Sequence, residues 1–382
     1  MDGRALTDFP CVGGNISRRG AEALRKGIWV LCVSASLRDT FPRVLGAYTL
    51  PRVPGSAIPA FPDGPNSCLV GTIMSKTALI FAGQGAQAVG MGADFAAQIP
   101  SAKAWFDRAN EALGYDLASI CFQGPEAELT RTENAQPGIF LVSWVACRLL
   151  LDRVPDLAFH ATAGLSLGEF TALAAAGAMT FEDALKVVRQ RGRFMQEACD
   201  VTRGGMAAII GLDEAPTREL CEQAGVSLAN LNCPGQLVIS GPADKISAAC
   251  DLAKVRGARR ALPLPVAGAY HSPLMATAQP KLDAVLSQVR ISAPSVPVVA
   301  NVTARPHGQP QEIQRLLVEQ VTSSVRWEDS MRHLLAEGFT RFIELGPGTA
   351  LSGFMKRIDK TAQVLNVADI PSLEATVKAL TT

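Results

Sequence analysis

Short apolar segments alternate with amphipathic segments along most of this chain, and this alternation restricts the fold more than any other feature. The apolar segments have the length of buried strands, and the segments between them repeat hydrophobic residues with a helical period. The expected strands are residues 77–82, 158–163, 206–211, 226–230, 236–241, 261–265, 296–300 and 340–344, and the expected helices include 138–153, 181–199, 243–256 and 327–337. Such alternation predicts an α/β fold with a mainly parallel sheet.

One region departs from the alternation. Between about residues 204 and 265 the order is strand, helix, strand, hairpin, strand, helix, strand. The segment Cys233-Pro234-Gly235-Gln236 separates two of these strands and is typical of a hairpin turn. We therefore predict a small ferredoxin-like subdomain, at about residues 202–267, inserted into a larger α/β domain.

Residues 1–73 differ in composition from the rest of the chain. They carry several arginines, few acidic residues and a Gly/Pro-rich stretch at 51–65. They are either a targeting peptide, which is typically Arg-rich and acid-poor, or a mis-called extension upstream of a natural start at Met74. We favour the second interpretation, and we expect a disordered leader followed by a folded domain at residues 74–382. The expected location is the cytoplasm, or a plastid if the leader is a transit peptide.

Charge and cysteine content argue against several classes of function. The chain has 36 Lys and Arg against 35 Asp and Glu, and a net charge of +1 does not favour a nucleic-acid-binding protein. The nine cysteines include no Cys-x-x-Cys pair and the four histidines are scattered, so we expect no zinc site. No apolar run reaches the roughly 20 residues that a membrane span requires. We expect neither a nucleic acid nor a membrane as a partner.

The sequence Gly164-Leu165-Ser166-Leu167-Gly168 is the most specific local motif. It follows an apolar strand and precedes a helix-like run, which is the context of a nucleophile elbow. In an elbow the serine lies on a tight turn, and the N-terminus of the following helix stabilises negative charge beside it. The alternative is a glycine-rich turn that contains a serine without a catalytic role, because a five-residue match often occurs by chance.

A serine nucleophile needs a base, and His271 has the most suitable surroundings of the four histidines. It lies in a loop after a predicted strand and follows the serine in the chain, as in α/β-hydrolases. His160 lies in the apolar run before the elbow, where a core role is expected. We expect His307, in a Pro/Gly loop, to be solvated, and His333, on an amphipathic helix, to lie at the surface.

Several motifs then occur in a fixed order over residues 74–379, and together they are far more specific than any one alone. They are Phe81-Ala82-Gly83-Gln84-Gly85-Ala86-Gln87, the elbow with Glu169, Arg191-Gly192, the segment from Asn230 through Ser240-Gly241, Tyr270-His271-Ser272 and Glu344-Leu345-Gly346-Pro347-Gly348. This set closely resembles the malonyl-CoA:acyl carrier protein transacylases of type II fatty-acid synthesis. It also resembles the acyltransferase domains of polyketide synthases.

The resemblance implies an α/β-hydrolase-like large subdomain with an inserted ferredoxin-like subdomain, which agrees with the strand order. It implies that Ser166 is the nucleophile and that His271 is the base. It also implies that the backbone N–H groups of Gln84 and Leu167 form the oxyanion hole. In this family a main-chain carbonyl orients the histidine, and the matching position is Gln320.

The resemblance also assigns the acyl pocket. Arg191 would bind the carboxylate of a malonyl group, since a guanidinium can hold a carboxylate bidentately. On residues alone, a solvated arginine on a basic helix face is the favoured interpretation of Arg191. Three further residues match pocket positions of the family: Gln136, Asn232 and Met195. The ordinary alternatives are that Asn232 is a turn residue and that Met195 is a core residue. Tyr270 replaces the phenylalanine of many malonyl-specific members, and an aromatic ring there should exclude an α-methyl branch.

The activity implied is transfer of a malonyl group from malonyl-CoA to the phosphopantetheine thiol of holo-acyl carrier protein, without a metal or redox cofactor. By analogy with standalone catalytic domains, we expect a monomer. Three alternatives stay open: a serine esterase or thioesterase, a discrete polyketide-type acyltransferase, and a non-catalytic docking scaffold. Transfer to water rather than to a thiol would distinguish the first, and the intact set of serine, histidine and arginine argues against the last.

Overall fold

The main sheet of the protein is parallel and has five strands in the order β7-β2-β1-β8-β9. We analysed a computed structural model, which describes residues 75–382; the predictions about residues 1–73 lie outside the described residues. The strands of this sheet are β1 (Lys76–Phe81), β2 (Ala161–Gly164), β7 (Val298–Val299), β8 (Phe339–Leu345) and β9 (Gln363–Val367).

Side chains of the central strand β1 alternate between two hydrophobic cores. Leu79 and Phe81 pack into one cluster, and Ala78 and Ile80 into the other. All four are fully buried, because helices cover both faces of the sheet. A run of apolar residues without polar interruption is typical of a strand buried on both faces, and it explains why the sequence identified this strand.

A second sheet is antiparallel, with strand order β4-β5-β3-β6. Its strands are β3 (Gly204–Ile210), β4 (Ser227–Cys233), β5 (Gln236–Pro242) and β6 (Arg260–Pro263). Two helices, α8 (Glu214–Ala224) and α9 (Ala243–Val255), connect them and pack on the sheet around a separate hydrophobic cluster. The connectivity βαββαβ with this strand order is ferredoxin-like, and the predicted fold class is confirmed.

The helices lie mostly around the main sheet. In chain order they are α1 (Ala93–Gln98), α2 (Pro100–Leu113), α3 (Leu117–Gln123), α4 (Glu126–Thr130), α5 (Thr132–Arg153), α6 (Gly168–Ala175), α7 (Phe181–Val201), α8 (Glu214–Ala224), α9 (Ala243–Val255), α10 (Ala278–Leu286), α11 (Pro310–Glu319), α12 (Trp327–Ala336), α13 (Ala350–Ile358) and α14 (Ile370–Thr381).

Helix α5 differs most from its prediction. It begins at Thr132, not at 138, so the segment that contains Gln136 is helical although Pro137 follows it. The helix is long and apolar enough to span a membrane by length and composition, but 78% of its most apolar window is buried inside the fold. Its apolar surface therefore packs in the core of the large subdomain, chiefly against α7.

Two further features position the site. Helix α7 is amphipathic, and the predicted pocket residues Arg191 and Met195 lie one turn apart on its buried face. Strand β9 was missed in the sequence because its residues are only partly buried at the edge of the sheet. Its pairing with β8 completes the sheet on that side.

Candidate active site

Ser166 lies on a tight turn between β2, which ends at Gly164, and α6, which begins at Gly168. Its φ of 53° is a left-handed conformation that a non-glycine residue rarely adopts. A Cβ on Gly164 would lie 1.9 Å from the carbonyl carbon of Gly168, and a Cβ on Gly168 would lie 2.3 Å from the carbonyl oxygen of Phe81. Both glycines are therefore required, and the predicted strand–turn–helix geometry of the elbow is present.

His271 contacts the serine directly. Its Nε2 lies 2.8 Å from Ser166 Oγ, and its Nδ1 lies 2.9 Å from the carbonyl oxygen of Gln320 and 3.1 Å from that of Ser323. Because carbonyl oxygens only accept, Nδ1 carries the proton and Nε2 accepts from the serine hydroxyl. The predicted carbonyl at Gln320 is in place, and the sequence missed the second carbonyl, at Ser323.

The pKa of His271 is lowered to about 4. Burial is the largest cause, and the positive charge of Arg191 adds to it, while the two carbonyl acceptors oppose both effects. The imidazole is consequently neutral at neutral pH. A neutral imidazole with a free Nε2 lone pair is the form that can take a proton from a serine hydroxyl.

Arg191 is buried, with only 1% of its surface exposed, and it reaches Ser166. Its Nη2 lies 3.1 Å from Ser166 Oγ and donates to Gln320 Oε1 at 2.9 Å, and its Nη1 donates to Gln136 Oε1 at 2.6 Å. Burial lowers the pKa of Arg191 to about 10, which still leaves it charged at neutral pH. Among residues 75–382 its Nε has no acceptor, so the guanidinium has capacity for a further ligand.

Of the two predicted oxyanion-hole residues, Leu167 lies within the elbow and Gln84 lies in a loop beside it. Leu167 immediately precedes α6, where the first N–H groups of a helix have no intrahelical acceptor. Gln84 follows β1 in a loop that touches the elbow, since a Cβ on Gly83 would lie 2.4 Å from the carbonyl oxygen of Leu165. The side chain of Gln84 accepts from Gln136 Nε2 at 3.2 Å, which connects it to the arginine.

The remaining predicted pocket residues are buried, but not all join one network. Met195 Sδ lies 3.4 Å from Gln136 Nε2. The hydroxyl of Tyr270 is 2.6 Å from Thr132 Oγ1 on α5, and burial raises the pKa of this phenol to about 12. Asn232 lies on β4, and its Oδ1 has no partner within the described part of the chain. The structure therefore brings Gln136 and Met195 together, whereas Tyr270 bonds to Thr132 and Asn232 Oδ1 has no partner among the described residues.

A buried polar cluster behind the elbow was missed in the sequence. Asn301 follows β7 and accepts from the backbone N–H of Ser166 at 2.6 Å, and its N–H donates to Glu169 Oε2 at 2.9 Å. The expectation of a solvated His307 was wrong: its side chain is buried and its Nε2 lies 2.8 Å from Glu169 Oε1. The sequence did contain one signal for this cluster: the carboxyl ends of neighbouring parallel strands meet at one edge of a sheet. That rule places Asn301 beside the elbow.

Within residues 75–382 no group of three or more His, Cys, Asp or Glu side chains is arranged to hold a metal ion. The cysteines that the structure describes are buried as free thiols, and burial raises the pKa of each of them. They act as small core residues.

A serine–histidine pair on an elbow, beside a buried cation, in an α/β-hydrolase-like core with a ferredoxin-like insert, is the arrangement of an acyl-transferring enzyme. A family model described as the acyl transferase domain matches residues 78–378. The chain belongs to the acyl transferase domain family, and the protein is an acyltransferase. The family resemblance predicted from the motifs is confirmed.

This chain matches known proteins over nearly the whole length of those proteins. The malonyl CoA-acyl carrier protein transacylase of Bacillus subtilis is 44% identical over 314 residues, or 80% of this chain and 98% of that relative. The solved structure of the malonyl CoA-acyl carrier protein transacylase of Coxiella burnetii has a TM-score of 0.78 at 36% identity. The match covers 81% of this chain and 98% of that protein's chain. A malonyl-transacylase solved with its type II PKS acyl-carrier protein has a TM-score of 0.77 at 38% identity, covering 80% and 100%.

Proposed function

We propose that the protein transfers a malonyl group from malonyl-CoA to the phosphopantetheine thiol of holo-acyl carrier protein through a malonyl ester of Ser166. The observation that carries the proposal is the buried guanidinium of Arg191, 3.1 Å from Ser166 Oγ. Within residues 75–382 its hydrogen bonds go only to neutral groups. A buried cation that no carboxylate contacts directly is costly, so a site of this kind favours an anionic ligand. The carboxylate of a malonyl group supplies that charge and can pair bidentately.

In the first half-reaction, His271 Nε2 takes the proton from Ser166 Oγ, and Oγ attacks the thioester carbon. The negative charge on the carbonyl oxygen is stabilised by the N–H groups of Gln84 and Leu167. The carbon–sulfur bond then breaks, and the departing CoA sulfur takes the proton from His271. The products are the malonyl-serine ester and free CoA, so atoms and charge balance.

In the second half-reaction the carrier thiol gives its proton to His271 Nε2, and its sulfur attacks the ester carbon. The serine oxygen leaves and recovers the proton from His271. The carbonyls of Gln320 and Ser323 hold the imidazole in the same tautomer through both steps, since each accepts from Nδ1–H. No metal or redox cofactor takes part in the proposed reaction.

The pathway belongs to the same proposal. The names of the similar proteins support a role in fatty-acid biosynthesis, and the solved complex with a type II PKS carrier keeps a polyketide-type acyltransferase as the alternative. We further propose a cytoplasmic enzyme that acts as a monomer. The carrier protein itself is the discriminating reagent, because the two pathways differ in which carrier is loaded.

The test is a transfer assay with radiolabelled malonyl-CoA, with acetyl-CoA in parallel, that follows label on the protein and on holo-acyl carrier protein. We expect label on the wild type, none on Ser166→Ala, and passage of the label to the carrier. Arg191→Ala should lower kcat/KM for malonyl-CoA on the order of 100-fold, because the substrate carboxylate loses its partner. The control is Arg189→Ala, on the same helix as Arg191. It removes a cation–π contact with Tyr115, which lies between α2 and α3, and should leave kcat/KM nearly unchanged.

A result in which malonate appears in solution and none reaches the carrier would replace this proposal with thioester hydrolysis. Equal loss of malonyl and acetyl transfer in Arg191→Ala would remove the role given to the arginine. Loading of Ser166 with acetyl in preference to malonyl in the wild type would do the same.

A further inference from the structure

The carboxylate of Glu169 is fully buried behind the nucleophile and accepts three hydrogen bonds. Its Oε2 accepts from the backbone N–H of Asn301 at 2.9 Å and from Gln320 Nε2 at 2.8 Å. Its Oε1 accepts from His307 Nε2 at 2.8 Å. The proposed acyl transfer uses neither Glu169 nor His307, although both are buried and able to carry charge.

Glu169 decides how the side chain of Gln320 is oriented. A carboxylate only accepts, so the amide must direct Nε2 to Glu169 and Oε1 to the other side. On that other side Oε1 accepts from Arg191 Nη2 at 2.9 Å, while Nε2 also donates to the carbonyl oxygen of Ser166 at 3.0 Å. A rotated amide would set its oxygen against the carboxylate and its NH₂ against the guanidinium, which is unfavourable at both contacts.

His307 binds Oε1 of the carboxylate, the oxygen that does not contact Gln320 or Asn301. Its backbone N–H donates to the carbonyl of Val298 at 2.8 Å, and a bridge between Val299 and Pro306 folds the loop back on β7. Its Nε2 must donate, because its partner is a carboxylate, and its Nδ1 is buried without a partner in the part of the chain that the structure describes. Leaving a ring nitrogen unsatisfied costs free energy, so simple space filling accounts poorly for a histidine here.

We infer that His307 is a positioning residue: by binding Glu169 Oε1 it turns Oε2 toward Gln320, and so fixes the guanidinium of Arg191. The chain of contacts runs His307, Glu169, Gln320, Arg191, with each step a hydrogen bond of 2.8–2.9 Å. The predicted consequence for malonyl recognition rests on the proposed function, whereas the effect on Gln320 does not.

The kinetic test compares His307→Leu, which removes the donor, with His307→Gln, whose amide nitrogen reaches the position of Nε2. In the leucine variant we expect kcat/KM for malonyl-CoA to fall on the order of tenfold, mainly through KM. Acetyl-CoA should lose much less, because it has no carboxylate for Arg191. His307→Gln should recover most of the malonyl activity. His333→Gln, on a partly exposed histidine bound to Arg305, is the matched control and should change nothing.

The second test has no activity readout. The side-chain amide of Gln320, assigned with a Gln320→Leu variant, should give two sharp nitrogen-correlated NMR signals in the wild type and in His333→Gln. They should shift or broaden in His307→Asn, which keeps a polar side chain but is too short to reach Glu169. Should His307→Leu fail to fold, the asparagine and glutamine pair makes the same comparison.

The outcomes separate the two proposals. Unchanged Gln320 signals in His307→Asn, or equal losses with malonyl-CoA and acetyl-CoA in His307→Leu, would overturn the positioning role. If the wild type transfers no malonyl group but the Gln320 signals still change in His307→Asn, the proposed function is overturned and the positioning role stands.

Discussion

At the scale of single residues, the serine hydroxyl is held between a base and a cation. Ser166 Oγ lies 2.8 Å from His271 Nε2 and 3.1 Å from Arg191 Nη2. The hydroxyl donates to the first and accepts from the second, so its proton already points to the base. The same arginine disfavours a charged imidazole, which keeps the base neutral before the reaction begins.

The acid–base behaviour of His271 provides the first prediction. With a folded pKa of about 4, below its ordinary value, the imidazole should stay neutral down to about pH 5. The unfolded chain then binds the proton more readily, so this group's contribution to stability is present above its unfolded pKa and is lost as the pH falls toward 4. An NMR titration of the ring C–H, assigned with His271→Gln, should find that low midpoint, and Arg191→Gln should raise it. A midpoint at the ordinary histidine value would contradict the account.

The bond between Thr132 and Tyr270 provides the second prediction. Thr132→Val leaves a buried phenol hydroxyl without this partner and should reduce the free energy of unfolding by about 1–3 kcal/mol. Tyr270→Phe leaves the threonine hydroxyl unpaired and should cost a similar amount. The double variant should lose clearly less than the sum, because both partners are then absent. Urea unfolding of all four proteins measures this coupling, and strict additivity would show that the hydroxyls do not interact.

At the scale of secondary structure elements, the elbow is set by the close packing of β2, α6 and β1. The glycines that begin and end the turn let the backbone of α6 approach β1 within a distance that no side chain would allow. This packing fixes the strained φ of Ser166, and the hydrogen bond from its N–H to Asn301 holds it there. Strain of this kind persists only where the surroundings over-determine it.

Glycine substitutions test that packing. Gly164→Ala forces a Cβ into the backbone of α6, so we expect the loss of several kcal/mol of stability or failure to fold. Gly353→Ala is the matched control, since this glycine lies exposed in the middle of α13 with no neighbouring atom within 4 Å of an added Cβ. It should raise stability by about 0.5–1 kcal/mol. Equal urea midpoints for the two variants would refute the packing argument.

At the scale of the whole molecule, the small subdomain supports His271, the proposed base. The N–H of Val325 donates to the carbonyl of Ala229 at 2.8 Å, and the N–H of Leu231 donates to the carbonyl of Val325 at 2.9 Å. These bonds join β4 to the segment just after the two carbonyls that orient His271. The inserted subdomain therefore holds the loop of the large one that sets the histidine tautomer.

Amide hydrogen exchange can measure this connection. If the two subdomains open as one unit, the N–H groups of Val325 and Leu231 should exchange slowly and at matching rates. Ser324→Ala, which removes a hydroxyl bond to the carbonyl of Leu228, should accelerate both together. The amide of Phe342 in the main sheet serves as the internal reference and should not change. Fast exchange at Val325 with continued protection at Leu231 would mean that the loop opens independently of the small subdomain.

The sequence by itself determined the fold class, the elbow and the order of the motifs, because strand runs, helical periods and glycine turns are local patterns. It located Ser166 and His271 as candidates. Family resemblance was needed to assign Arg191 to the acyl pocket rather than to a solvated helix face. Tertiary structure alone decided that Arg191 is buried against two amides, that His307 binds Glu169, and that a second carbonyl, at Ser323, reaches the base. These contacts join residues far apart in the chain, and no local pattern records which polar side chains meet when separate strands and helices pack.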